Sequence, residues 1–201
     1  MIPTHRKPPA PKQVFITLLV QLEPLVLVPP IWRRVMVSGD ITLRRLHHVL
    51  QAAMGWESRH LYQFDIGESV YGTQDPDFPD DNTLDDRRYK LKKLVSEGDR
   101  IRYTYDFGDS WQHVIAVENI QACPSDDIAD LCKLLGGERA CPPEDVGGAP
   151  GYIDLLAAVS KPESAEGQGM IRWFGGAFNS EAFDRHATNC AIQRTLNNQW
   201  R

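Results

Sequence analysis

Tyr105-Asp106-Phe107-Gly108-Asp109-Ser110-Trp111-Gln112-His113 lies between two runs of alternating apolar residues, 101–105 and 111–118. A Gly-containing turn between two such runs is the pattern of a β-hairpin, because strand side chains alternate between faces and the turn needs a residue that tolerates unusual backbone angles. The spacing places Tyr105 and Trp111 opposite each other across a turn made of residues 107–110. A plain turn needs only Gly and one Asp or Asn. This one carries two carboxylates, a hydroxyl, an indole and an imidazole within residues 106–113.

Upstream of the hairpin, residues 13–22 form a strand: Val14, Ile16, Leu18, Val20 and Leu22 share one face, and Phe15, Thr17, Leu19 and Gln21 the other. Both faces are largely apolar, which places the strand centrally in its sheet. Prolines at 24, 29 and 30 bracket the connection to a second strand, 31–37, antiparallel to the first. Leu43, Leu46, His47, Leu50, Ala53 and Met54 then recur at helical spacing. Asp40 or Thr42 suits the N-cap, Gly55 the left-handed C-terminal position, and Trp56 is placed to fold back on the last turn. Residues 60–66 are a third strand, with His60, Tyr62, Phe64 and Ile66 on one face, and 69–72 a short fourth. Residues 73–86 hold six aspartates and read as a solvated loop; the Asp75, Asp77 pair lacks the rest of a calcium-loop pattern. Residues 88–96 suit a short helix.

Downstream, 126–135 suits a helical turn or short strand. Residues 136–152 carry five glycines and three prolines, the composition of an ordered turn-rich loop. Tyr152, Leu155, Leu156 and Val159 mark a helix ended by Pro162, followed by a polar linker over 162–169. Residues 170–174 and 181–196 read as helices, the second capped by Ser180. Residues 1–12, with prolines at 8, 9 and 11, form a flexible tail before a single domain over 13–201. The element order gives an α+β fold: a mixed or antiparallel sheet with a ββαβ start of ubiquitin-like grasp type, a late hairpin and C-terminal helices.

The net charge is −5, which gives no global case for nucleic-acid binding, although a local basic patch depends on distribution rather than sum. No apolar run approaches the roughly 20 residues of a membrane span, and the N-terminus lacks the apolar core of a secretory signal. Cys123, Cys132, Cys141 and Cys190 form no C-x-x-C pair, so neither a structural zinc site nor any other cofactor is expected, and a reducing compartment, the cytoplasm, is.

Several stretches together resemble one family: Pro-Pro-Ile-Trp-Arg-Arg at 29–34, Leu-His-His with Gly-Trp and His-Leu-Tyr-Gln-Phe between 46 and 64, the hairpin tip at 105–113, and Arg-Ala-Cys-Pro-Pro-Glu-Asp-Val-Gly-Gly at 139–148. The combination is similar to the plasmid pRiA4b ORF-3-like family and covers nearly the whole chain. Members often have a second cysteine at the position of Val146, whose absence here argues against a metal site centred on Cys141. The family is similar to proteins labelled transposon resolvases, and some members carry a repressor-type DNA-binding domain. The resemblance thus implies an association with mobile elements and regulation, and carries over no catalytic residue.

Seven residues form the candidate binding site: Asp106, Asp109, Trp111, His113, Arg139, Glu144 and Asp145. Each has a plainer role beside the functional one. The two aspartates of the tip can accept backbone N–H groups of the turn. His113, on an apolar face, can be a satisfied core histidine, Trp111 a core aromatic, and Arg139 a lock paired with Glu144 or Asp145. His47 and His60 read as structural. The excess of polar groups on two stretches stiffened by Gly and Pro places the 105–113 tip and the 139–148 loop side by side in one site, with Arg139 reaching Asp106 or Asp109. A non-enzymatic binding or adaptor module for protein or nucleic acid fits best. Behind it stands a metal-dependent hydrolase using Asp106, Asp109, His113, Glu144 and Asp145. A resolvase comes last, since no Ser sits among the arginines that would hold a scissile phosphate.

Overall fold

The computed structural model describes residues 13–23, 27–73, 82–122 and 132–198. The tail at 1–12, the Asp75, Asp77 pair and most of the segment read as a turn or strand at 126–135 lie outside them. Among the described residues eight strands form one sheet: β1 (Val14–Glu23), β2 (Trp32–Ser38), β3 (Tyr62–Ile66), β4 (Ser69–Gly72), β5 (Thr83–Asp85), β6 (Arg100–Tyr105), β7 (Trp111–Ala122) and β8 (Cys132–Glu138). Their order is β5-β4-β3-β6-β7-β1-β2-β8. Every neighbouring pair is antiparallel except β4 with β5. Four α-helices among the described residues complete an α+β fold: α1 (Leu43–Met54), α2 (Gly148–Val159), α3 (Ala165–Phe174) and α4 (Arg185–Asn198).

The sheet buries one face. Ile16, Leu18, Val20 and Leu22 of β1 are sealed, as are Val35 and Val37 of β2, whereas Phe15, Thr17, Leu19 and Gln21 are only half-buried. β1 is central, between β2 and β7, but its second apolar face is not a second core. The late hairpin has the expected register, with Tyr105 opposite Trp111. It inserts between the opening strands: β7 lies antiparallel to β1, and β6 separates β7 from β3.

α1 lies on the buried face. Thr42 caps it by accepting from Arg45 N, and Gly55 closes it at φ 87°. His47 and Gln51 of this helix meet the Tyr103 hydroxyl at 2.8 and 3.0 Å, and the His47 ring stacks on Tyr62. His47 is therefore structural. Asp86, placed by composition in a solvated loop, is fully buried; it accepts from the Tyr62 hydroxyl and from Arg44 Nε.

The structure moves several sequence-derived boundaries. Residues 88–96 hold only a 3-10 turn at Leu91–Lys93. Leu91 N and Lys92 N donate to Ile41 O and Gly39 O, so the donors of a longer helix are already committed. Gly136 and Gly137, read as loop, belong to β8; a Cβ on Gly137 would lie 2.8 Å from both the Arg33 stem and the Phe183 ring, which would have to shift to admit a side chain there. The polar linker is in fact the start of α3, whose N-cap Ser164 accepts from Gly167 N at 2.9 Å. α4 begins later than expected, and its cap is Asp184 rather than Ser180: the Asp184 carboxylate accepts from His186 N and Ala187 N. Residues 181–184 are held otherwise, by the Glu181–Arg139 pair and by Phe183 against the Arg33 guanidinium. The outer edge of β8 is closed by α4, where the Asn189 amide accepts from Leu134 N and donates to Leu134 O as a neighbouring strand would. Among the described residues no helix is long and apolar enough to cross a membrane.

Candidate functional site

The turn between β6 and β7 is built around Asp106. It adopts φ 55°, a left-handed conformation that Asp tolerates better than most residues, and its Oδ1 accepts from Gly108 N at 2.9 Å and Asp109 N at 3.3 Å. Asp106 N donates to Leu61 O, which extends the β3–β6 pairing by one step and brings residues 60–61 beside the tip. That pairing leaves Asp106 Oδ2 turned away from the turn, toward His60.

The 139–148 loop reaches the same place along three tethers. The Trp56 indole, just past α1, donates to Pro142 O at 2.9 Å. The carboxylate of Glu144 accepts from Glu57 N at 2.7 Å and from the Tyr105 hydroxyl at 3.1 Å. Asp109 Oδ2 accepts from Gly147 N at 3.2 Å. The next residue, Gly148, lies so close that a Cβ there would stand 2.6 Å from the Asp109 carbonyl oxygen. The glycines of this loop permit the approach of another backbone, that of the hairpin tip.

At the centre is His60. Its Nε2 stands 3.1 Å from Asp145 Oδ1 and 3.6 Å from both Asp106 Oδ2 and Glu144 Oε2. That nitrogen is closed off from solvent, yet its geometry toward each oxygen misses that of a hydrogen bond. The ring is packed edge-on against Tyr105. The ligand-type atoms of His60, Asp106 and Asp145 all lie within 4.8 Å of one another, a grouping able to hold a metal ion. The Glu144 side chain is 14% exposed and that of Asp145 59%, so the cluster opens to solvent on the Asp145 side. Burial and the neighbouring Glu144 carboxylate raise the Tyr105 phenol pKa, so it remains a hydrogen-bond donor.

Of the residues expected in the site, Asp106, Glu144 and Asp145 converge, and Asp109 joins the tip to the loop through Gly147. Trp111 is a buried core residue stacked beside Trp56. His113 is fully buried, its Nδ1 at 3.2 Å from Tyr103 O, and burial pushes its pKa down to about 4. The contact to a carbonyl fixes Nδ1 as the protonated nitrogen and leaves Nε2 as a bare lone pair in the core. Arg139 neither meets the tip nor locks onto Glu144 or Asp145: it pairs with Glu181 and donates to Pro29 O. The five-residue constellation Asp106, Asp109, His113, Glu144, Asp145 is therefore not assembled. The histidine that faces the carboxylates is His60, read from the sequence as structural. Its one signal was its place at the head of the strand-face alternation that continues through Tyr62 and Phe64.

A family model described as plasmid pRiA4b ORF-3-like protein matches residues 15–187. An uncharacterised protein of Sinorhizobium fredii, y4hQ, is 36% identical over 167 residues, covering 82% of this chain and 84% of its own. The crystal structure of a protein of unknown function from Methanosarcina mazei, MM3350, superposes with a TM-score of 0.77 at 29% identity, covering 87% of this chain and 97% of that one.

Proposed function

The chain belongs to the plasmid pRiA4b ORF-3-like family, and from that premise we propose that it is a non-enzymatic binding module whose recognition site is the His60–Asp106–Glu144–Asp145 cluster and whose ligand is cationic. The carrying observation is that hairpin tip and loop, distant in sequence, aim three carboxylates at one imidazole. The stiff backbone on both sides spares the cost of ordering the site when ligand arrives. The acid load at this face opposes a nucleic-acid phosphate and favours a protein partner. The hydrolase read from the sequence placed its base at His113, which is sealed in the core; the imidazole beside the carboxylates is His60. A regulatory role in the cytoplasm, in keeping with the family's plasmid association, completes the proposal.

The test is affinity capture from a cell extract with the full chain and its Glu144→Ala and Asp145→Ala variants, with bound proteins identified and bound nucleic acid sequenced. The proposal expects a protein partner captured by the wild type and lost from both variants. Equal capture by all three chains, or recovery of nucleic acid that persists in both variants, would refute it.

A further inference from the structure

We infer that the cation taken by this site is a first-row divalent transition-metal ion, ligated by His60 Nε2 and by carboxylate oxygens of Asp106 and Asp145, with the Glu144 carboxylate beside them. The inference rests on the proposed binding role of the cluster and names its ligand.

The contact between His60 and Asp145 has the spacing of two ligands on one metal ion. Ligand atoms about 2.1 Å from a common ion stand roughly 3.0–3.4 Å apart in octahedral or tetrahedral arrangement. Hydrogen-bond acceptors about 2.8 Å from an ammonium nitrogen stand roughly 4.5 Å apart around it. The His60 nitrogen is 3.1 Å from Asp145 Oδ1, within the range for two ligands of one metal ion, and 3.6 Å from Asp106 Oδ2 and Glu144 Oε2, slightly beyond it; ligand atoms of His60, Asp106 and Asp145 lie within 4.8 Å of one another, so a small inward shift would gather them about one ion. These oxygens are close enough for ion pairing but in no hydrogen-bond geometry with His60, whose Nε2 is withdrawn from solvent. Aimed at three carboxylates, that nitrogen is the observation that acidity alone would not provide.

The donors behind the ligands point the same way. Asp106 is held by its Oδ1 on two turn amides, and Glu144 is held by Glu57 N and the Tyr105 hydroxyl. Such outer contacts orient ligands about an ion before it binds. One imidazole with carboxylates suits manganese, iron or zinc; calcium and magnesium favour oxygen throughout. On the open Asp145 side the coordination sphere would be completed by water or by a group of the partner.

The experiment uses the full chain, stripped with chelator and titrated with Mn2+ by calorimetry and electron paramagnetic resonance, with Zn2+ as competitor and Mg2+ and Ca2+ as contrasts. One Mn2+ per chain is expected, displaced by Zn2+, with Mg2+ and Ca2+ binding at least about tenfold more weakly. His60→Gln is expected to weaken Mn2+ binding by at least about tenfold. Asp145→Asn, at an exposed position where Asn tolerates the same left-handed backbone, is expected to weaken it as well. Glu118→Gln, paired with Arg34 away from the cluster, serves as an unchanged control. A folded wild type that binds neither Mn2+ nor Zn2+ overturns the inference, as does Mn2+ binding unaltered in both His60→Gln and Asp145→Asn. The two proposals fail separately. Loss of partner capture in Asp145→Ala without any metal binding leaves the binding module and removes the ion. Metal binding with partner capture unchanged does the reverse.

Discussion

The hydroxyl of Tyr105, the last residue of β6, donates to the carboxylate of Glu144 in the loop before α2 at 3.1 Å. It also accepts from Arg59 N at the same distance, so one phenol ties the hairpin, the loop and the approach to β3 together. Tyr105→Phe would leave the Arg59 amide and one Glu144 oxygen short of a partner. A loss of about 1–3 kcal/mol is expected in urea denaturation. A variant as stable as wild type would show that water replaces the hydroxyl without cost.

Leu46 of α1 is fully buried against the sheet. Leu46→Ala should cost about 2–5 kcal/mol, because the removed methyl groups leave a cavity that the surrounding strands cannot close. A lowered melting temperature checks this; an unchanged one would place α1 elsewhere.

Gly148 combines φ 66° with the close approach to the Asp109 carbonyl. Gly148→Ala should therefore destabilise by about 1–3 kcal/mol through strain and displacement. It should also separate the tip from the loop, visible as faster amide exchange at Gly147.

His113 gives a pH dependence of definite sign. Its folded pKa of about 4 lies below the ordinary imidazole value, so below that ordinary value the unfolded chain binds the extra proton. Stability is fully present above about pH 6.5 and falls as pH drops toward about 4, by about 3 kcal/mol for this group. His47, also depressed by burial, adds loss of the same sign. His113→Phe should flatten the stability profile across that window, as measured by denaturation at several pH values. A profile as steep as that of wild type would assign the acid sensitivity to other groups.

The sequence by itself determined what repeats with a period or sits at a chain reversal. Alternation gave β1, β2 and the β6–β7 hairpin with its Tyr105–Trp111 register, and 3.6-residue spacing gave α1 with both caps, because these patterns reflect burial on one face of a local element. It also pointed to two stretches, the tip and the loop, that carry more polar groups than turns require. Tertiary structure decided the rest. The 136–138 end of β8 and the start of α3 were hidden because glycines that read as loop serve close packing against Phe183 and Lys161 O, a reason that lies on other elements. Arg139 and Asp86 found partners, Glu181 and Tyr62, far from where charge pattern would place them. The exchange of His113 for His60 has the same origin. Both head or join an apolar strand face, and only the β3–β6 pairing, extended through Asp106 N to Leu61 O, settles which of the two imidazoles meets the carboxylates and which is sealed beneath Trp56.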